Sequence, residues 1–166
     1  MPKTRKLALM AMFTAASLIV FVIEAQIPAS IPVPGVKLGL ANVVTLIAMV
    51  MLGRREAGLI LLVRIAMGSM FTGGVSAFIF SIAGGALAYA VMCLTLKLFP
   101  EKLLWVVSVL GAIAHNLGQL IAAIIITKTS SLMLYAPVLL ASAVVTGAFT
   151  GLAAMYLTQR LDKRVG

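Results

Sequence analysis

Charged residues are scarce in this sequence. Asp, Glu, Lys and Arg make up 10% of its 166 residues, whereas 63% are hydrophobic. A typical soluble domain is about a quarter charged, so this chain has too few polar side chains to cover a water-facing surface. The composition excludes a soluble globular domain. It indicates a membrane protein with room for about six spans of roughly 20 residues each.

Acidic and metal-binding side chains are scarcer still. The chain has four acidic residues, one His and one Cys, and it contains no Walker A sequence, paired-carboxylate motif or Asp-rich cluster. Magnesium-dependent diphosphate chemistry therefore lacks its usual ligands. The single cysteine, Cys93, can form neither an internal disulfide nor a Cys-based metal site. We expect no catalytic residue, no metal, no cofactor and no enzyme activity of its own.

Positive charge is in excess, because 13 Lys and Arg residues give a net charge of +9. In a soluble protein this excess would suggest nucleic acid as a partner. Here the basic residues form short clusters between apolar segments, so no polar basic face is available to a phosphate backbone. We therefore expect no nucleic-acid partner and attribute the charge to membrane topology.

The apolar segments predict an all-α polytopic membrane protein. A compact bundle of six transmembrane helices would form a single domain over residues 1–166. The basic start followed by an apolar run resembles a signal peptide. Five more apolar segments follow, however, and no clear small-x-small cleavage site is present, so we expect an uncleaved first span. The predicted helices cover residues 7–25, 38–52, 57–71, 77–98, 103–127 and 132–157.

The distribution of basic residues predicts the orientation. In a six-span arrangement only Lys37 and Lys128 lie on the side opposite the N-terminus, and Arg64 lies within a span. Because cytoplasmic loops carry the excess of Lys and Arg, both termini are expected in the cytoplasm, with the chain in a bacterial plasma membrane. The ten basic residues on the N-terminal side are Lys3, Arg5, Lys6, Arg54, Arg55, Lys97, Lys102, Arg160, Lys163 and Arg164.

Two charged residues are predicted within or beside the membrane. Arg64 lies about 12 Å of helix beyond the basic turn at 54–56, where a charged side chain costs about 2.5 to 3.5 kcal/mol on insertion scales. It either pairs with Glu24 or binds a carboxylate or phosphate through its planar guanidinium. Glu24, at the outer end of helix 1, is either an interfacial carboxylate that reaches water or pairs with Lys37, or a contributor to a ligand site.

Helix 5 carries the other polar group, His115, Asn116 and Gln119. Their spacing places them roughly on one face, and a polar face turned to lipid would leave donors and acceptors unsatisfied. The face is therefore expected to point inward, either to hydrogen bonds between helices or to a ligand cavity. Asn42 and Thr45, three residues apart on helix 2, could join the same cavity.

Small residues recur at four-residue spacing in two helices. Ala11-x-x-x-Ala15 in helix 1 and Gly147-x-x-x-Gly151 in helix 6 are typical of faces on which helices approach closely. Such pairs arise easily by chance in Ala- and Gly-rich segments. They serve either packing within the bundle or docking to another subunit.

Three strings carry a resemblance to a known family: PGVKLGLANVVTLIAMVMLG, FIFSIAGGALA and GAIAHNLGQLIAA. They resemble the Gx transporter family, whose members are often labelled heptaprenyl diphosphate synthase component I. This family looks like the substrate-binding S components of energy-coupling factor (ECF) transporters. The resemblance implies six helices, a ligand site near the outer face under the first loop, and an alanine-rich helix 1 that docks onto a T subunit driven by two ATPases. Ala8, Ala11 and Ala15 would carry the docking face.

Two functions follow from the residues and the resemblance together. In the first, the chain is an ECF S component that captures a small anionic or amphiphilic solute, of the vitamin or cofactor-precursor kind, with the Pro-rich loop 26–36 above the site. In the second, it is a non-catalytic membrane scaffold for isoprenoid or quinone synthesis that presents its Arg54-Arg55 turn to soluble enzymes. The expected substrate-binding residues are Glu24, Lys37, Asn42, Arg64, His115, Asn116 and Gln119.

Overall fold

A computed structural model describes residues 2–26, 39–72 and 74–165. Over these ranges the chain forms six α-helices and two short 3₁₀ turns, at 101–103 and 130–135, and no strand. The predicted all-α class is therefore confirmed. The helices are α1 (Lys3–Gln26), α2 (Asn42–Met51), α3 (Arg54–Thr72), α4 (Gly74–Thr95), α5 (Leu104–Thr127) and α6 (Ala136–Val165).

Several helices are suited to a bilayer. Four helical segments are long and apolar enough to cross one: Lys3–Gln26, Gly74–Thr95, Leu104–Thr127 and Ser130–Arg160. The chain is thus a multi-pass membrane protein. α2 has 10 residues and spans only about 15 Å, while charged residues interrupt the apolar sequence of α3. The predicted count of six spans and the cytoplasmic position of both termini stay predictions.

Some helix boundaries differ from those predicted. α1 begins at Lys3 instead of residue 7, α2 begins at Asn42 instead of residue 38, and α6 continues to Val165 instead of ending near 157. The predicted polar turn at 53–56 is shorter, because Gly53, with a φ of 102°, makes the break and Arg54 already belongs to α3. Charge is a poor guide to helix ends, since Lys, Arg, Glu and Gln are good helix formers that extend a helix into water.

α5 is the most buried of the four long apolar helices and packs between α4 and α6. Glycines make these contacts close. A Cβ on Gly118 would lie 2.6 Å from the carbonyl oxygen of Ala83 in α4. On the other side, a Cβ on Gly151 would lie 2.5 Å from the Cα of Trp105. The Gly147-x-x-x-Gly151 pair predicted to mark a close-approach face therefore packs against α5 inside the bundle.

α1 lies at the edge of the bundle, against α3 and α2. Near its start, the Lys6 ammonium donates to the Glu56 carboxylate, the one ion pair in the described part of the chain. Much of the helix is uncovered by protein. Its outer face is apolar, as expected of a surface in contact with lipid or with another membrane subunit, and the large side chains exposed there include Leu7, Met12, Ile19 and Ile23.

A buried hydroxyl pair links α5 to α6. Ser108 Oγ and Thr150 Oγ1 are 3.0 Å apart, and both side chains are buried. We expect Thr150→Val to lower the free energy of unfolding by about 1 kcal/mol, the net value of a typical hydrogen bond. Thermal unfolding in mild detergent measures it, and the near-isosteric Thr146→Val, which removes bonds only to carbonyls of its own helix, is the control. Equal losses in both variants would show that the Ser108 contact adds nothing.

Candidate functional site

A small polar cavity lies where the first five helices meet. α1 and α3 to α5 each place at least one side chain in its wall, and α2 contributes its first residue and part of the preceding turn. The space that the centre of a water molecule can occupy there is about 10 Å³. This is room for about one water molecule. The lining residues are Phe21, Glu24, Gly39, Ala41, Asn42, Arg64, Ser81, His115 and Gln119.

Arg64 of α3 is the cation of this cavity, and its side chain is 2% exposed. Its Nη2 donates to Asn42 Oδ1 at 3.3 Å, and its guanidinium carbon lies 5.9 Å from the centre of the Phe21 ring, a cation–π contact. Gly68 provides the space for that ring, because a Cβ there would lie 2.6 Å from it. Arg64 Nε and Nη1, and Asn42 Nδ2, have no hydrogen-bond partner among the described residues.

Glu24 of α1 is buried at the same cavity and is 5% exposed. Its Oε1 accepts the backbone N–H of Gly39, and its Oε2 accepts that of Ala41 at 3.4 Å. Within the described part of the chain it forms no direct ion pair with Arg64. Of the two interpretations of Arg64, the direct ion pair with Glu24 is therefore not formed among the described residues. Glu24 instead joins the end of α1 to the turn that begins α2.

The three polar residues of α5 are buried, but they face two directions. His115 and Gln119, four residues apart, both line the cavity. Asn116 points to α6, where its Nδ2 donates to the carbonyl oxygen of Leu139 at 2.9 Å. The expectation of a common face is wrong for Asn116, because adjacent helical residues are about 100° apart around the axis. Asn116 therefore joins α5 to α6.

Two glycines allow the His115 ring to reach the cavity. Gly39 adopts a φ of 77°, and a Cβ there would lie 2.9 Å from His115 Cδ2. On α4, a Cβ on Gly84 would lie 2.9 Å from His115 Nδ1 and 2.8 Å from Gln119 Cγ. The ring is thus held between two backbone segments that carry no side chain. Its place in the wall depends on these glycines.

The remaining predicted residues do not line the described part of the cavity. Lys37 and residues 27–36 of the predicted covering loop lie outside the described residues. Thr45 of α2 is fully buried but does not line the cavity. The possible docking residues of α1 are all exposed in this structure; they are Ala8, Ala11 and Ala15. The described residues contain no cluster of three His, Cys, Asp or Glu side chains able to hold a metal.

Sequence reasoning missed four lining residues. Phe21 lies one helical turn before Glu24, so the helical spacing could have found it. Ser81 lies one turn before Gly84 on α4 and carries a weaker signal of the same kind. Gly39 and Ala41 contribute mainly backbone next to the Glu24 carboxylate, and side-chain chemistry gave no indication of them.

Comparison with known proteins decides the family. The family model described as heptaprenyl diphosphate synthase component I matches residues 13–157. The chain belongs to this family. It is also the family that the sequence strings predicted, known as the Gx transporter family. No curated protein and no solved structure matches the chain. The matched range contains every residue that lines the cavity, so the site is built within the family's region.

The cavity has the chemistry of a site for hydrogen-bond acceptors. The atoms of Arg64 and Asn42 that lack a partner among the described residues are all N–H donors. An unpaired donor in a buried position is unfavourable by about 1 to 3 kcal/mol, and more for a charged group. A bound acceptor would recover that energy. A carboxylate, a carbonyl or another oxygen-bearing group could therefore bind here.

Proposed function

We propose that this protein is the solute-binding S component of an ECF-type uptake transporter. It captures a small solute of the vitamin or cofactor-precursor kind from the outer face, by an anionic or other oxygen-bearing group. It then hands the solute over through a T subunit and two ATPases. In this role the chain carries out no catalytic step. The observation that carries the proposal is the buried Arg64, whose unpartnered donors lie at a cavity shared by five helices.

The guanidinium of Arg64 keeps one edge for a ligand. Nη2 has two hydrogens, one on the Nε edge and one on the Nη1 edge, and Asn42 accepts only one of them. The other edge therefore retains two parallel N–H donors, because both Nε and Nη1 lack partners among the described residues. Two parallel donors match the two oxygens of a carboxylate. This supports capture of a solute by an oxygen-bearing end group.

Entry of a solute requires part of the wall to move, since the cavity as folded has room for about one water molecule. α1 is the helix best placed to move away from the others. It contributes Phe21 and Glu24 to the wall, yet it lies at the edge of the bundle with few buried residues. Displacing it would open the cavity without breaking the closely packed group of α4, α5 and α6.

The outer face of α1 supports the proposed docking to a T subunit. Ala8, Ala11 and Ala15 are exposed and lie beside Met12 and Ile19, which are also exposed. Small residues on an exposed membrane helix permit close approach of another helix. The same helix would then contact both the solute and the energising subunits, so that docking and solute release are mechanically linked.

The test compares small molecules carried by three purified proteins. Wild type, Arg64→Gln and Thr150→Val are isolated from the same cells in mild detergent, and their bound small molecules are identified by mass spectrometry. We expect a solute with wild type and with Thr150→Val, and at least about a tenfold loss with Arg64→Gln, because a charge-assisted contact in a buried site is removed. Thr150 is buried in the α5–α6 contact away from the cavity, so this variant controls for general destabilisation. A solute retained equally by all three would refute the assignment to this cavity.

A second candidate is a membrane subunit that scaffolds polyprenyl diphosphate synthesis, and the description of the matching family favours it. Arg55 at the start of α3 is exposed and could contact a soluble enzyme. Proteins that accompany the purified chain distinguish the two functions. The transporter predicts a membrane T subunit and ATPases, lost when Ala11 is replaced by Leu, whereas the scaffold predicts a prenyl synthase, lost when Arg55 is replaced by Glu.

A further inference from the structure

The described lining of the cavity contains one buried charge of each sign, and the two charged groups do not touch. Glu24 and Arg64 both line it and both are almost fully buried. Their opposite charges interact across the cavity, but they form no direct ion pair within the described part of the chain. Buried charges are normally paired or fully hydrogen-bonded, because leaving them apart in a low-dielectric interior is unfavourable.

Charge balance limits the occupant. With Glu24 ionised and His115 neutral, the charges of the described lining residues sum to zero. A solute that carries only a carboxylate would bring the cavity to a net charge of −1, and a phosphate monoester would bring it close to −2. An isolated excess charge in a buried site is strongly unfavourable. A solute with no net charge avoids this unfavourable free energy, because it adds no excess charge to the cavity.

Hydrogen-bonding capacity gives the orientation of the solute. Among the described residues, Arg64 and Asn42 have N–H donors without a partner. The two oxygens of Glu24 provide about four acceptor positions, and the N–H groups of Gly39 and Ala41 occupy two of them. Counted over the described residues, at least one acceptor position on Glu24 remains even when the nearby Leu40 N–H is included. The cavity therefore offers cationic donors on Arg64 and an anionic acceptor on Glu24.

We propose that the site takes an electroneutral, dipolar solute of the amino-acid class, with a carboxylate toward Arg64 and an ammonium toward Glu24. This inference rests on the proposed function and specifies the chemistry of its solute. Such a solute lies between the two side chains and gives each of them a counter-charge. Simple carboxylates and phosphate esters satisfy Arg64 but leave Glu24 without a counter-charge.

Matched probes test the proposal. The full-length protein in mild detergent is titrated with 4-aminobutyrate, butyrate, propylamine and inorganic phosphate at about pH 8, where an ordinary histidine is neutral. Binding is followed as a rise in unfolding temperature, read with a thiol-reactive dye on the single cysteine. Glycine and β-alanine, with acetate and propionate as their carboxylate counterparts, vary the chain length. We expect an amino acid to bind at least about tenfold more tightly than its carboxylate counterpart.

The variant Glu24→Gln should reverse the preference. Without the carboxylate the cavity has a net charge of +1, so a simple carboxylate now neutralises it. We expect butyrate to bind this variant at least about tenfold better than 4-aminobutyrate does. Because Glu24 also holds the turn before α2, the second variant Asn42→Asp gives an independent test. It adds a negative charge beside Arg64 and should shift the preference to propylamine.

The proposal is supported if wild type prefers amino acids over their carboxylate counterparts and if either variant changes that preference as expected. Carboxylates that bind wild type as well as amino acids overturn the dipolar assignment while leaving the proposed function intact. No stabilisation of wild type by any probe overturns the dipolar assignment, while the proposed function is decided separately by the solutes that accompany the purified protein. A preference that is the same in wild type and in both folded variants overturns the role of the two charges.

Discussion

The double variant Arg64→Met/Glu24→Gln is expected to unfold at a higher temperature than the wild-type protein in the absence of solute. Replacing buried ions by less polar residues of similar volume is often neutral or stabilising, by about 1 to 4 kcal/mol. The condition for a gain is met over the part of the chain that the structure describes, because the two charges are not in direct contact there and two nitrogens of Arg64 have no partner. Methionine retains a long flexible side chain that fills the space under Phe21.

The measurement is thermal unfolding of the purified proteins in one detergent, followed by the thiol dye at Cys93. The single variant Arg64→Met is the control, since it leaves Glu24 as a buried carboxylate without its opposite charge. We expect it to be less stable than the double variant. If the double variant were instead less stable than wild type by several kcal/mol, the two charges would be structural, and the case for a solute site would fall with them.

The same variant should retain no charged solute. A gain in stability together with a loss of binding would show that the two charges are kept at the expense of the fold. Functional sites are commonly places where stability is sacrificed in this way. A purely structural pair would lose stability on removal, so the two measurements together separate the interpretations.

Gly118→Ala is expected to have the largest effect on folding. Alanine at a helical glycine normally adds about 1 kcal/mol through helix propensity. Here the new Cβ would lie 2.6 Å from the carbonyl oxygen of Ala83 and 3.0 Å from the Cα of Gly84. Both are backbone atoms of α4 and cannot move without the helix. We expect a loss of about 3 kcal/mol, with a matching fall in unfolding temperature.

Gly58→Ala provides the matched comparison. Its Cβ would meet only the phenol end of Tyr89, at 3.0 Å from the oxygen, and a side chain can shift where a helix cannot. We expect a change well under that of Gly118→Ala. Since Gly118 also lies beside Gln119, the Gly118 variant should bind the solute poorly even where it folds. Similar stabilities for the two variants would show that α4 and α5 are not in close contact.

The sequence by itself determined the class of molecule. Apolar segments of helical length, interrupted by prolines, glycines and basic clusters, fix a helical membrane protein, because a bilayer leaves a backbone few other ways to satisfy its hydrogen bonds. It also indicated which side chains matter. Arg64, Glu24, His115 and Gln119 stand out by chemistry alone, since each is polar in an apolar surrounding.

Only the tertiary structure decided which of these residues share a cavity. Asn116 and His115 are neighbours in sequence, yet one bonds to α6 and the other lines the cavity, because helix rotation and crossing geometry set the direction of each. Arg64 and Glu24 have opposite charges that the sequence could only suggest as a pair. The packing of α1 against α3 keeps them apart, and the backbone of the turn at Gly39 takes the carboxylate instead. Contacts between residues far apart in the chain depend on how whole helices pack, and no local pattern in the sequence records that arrangement.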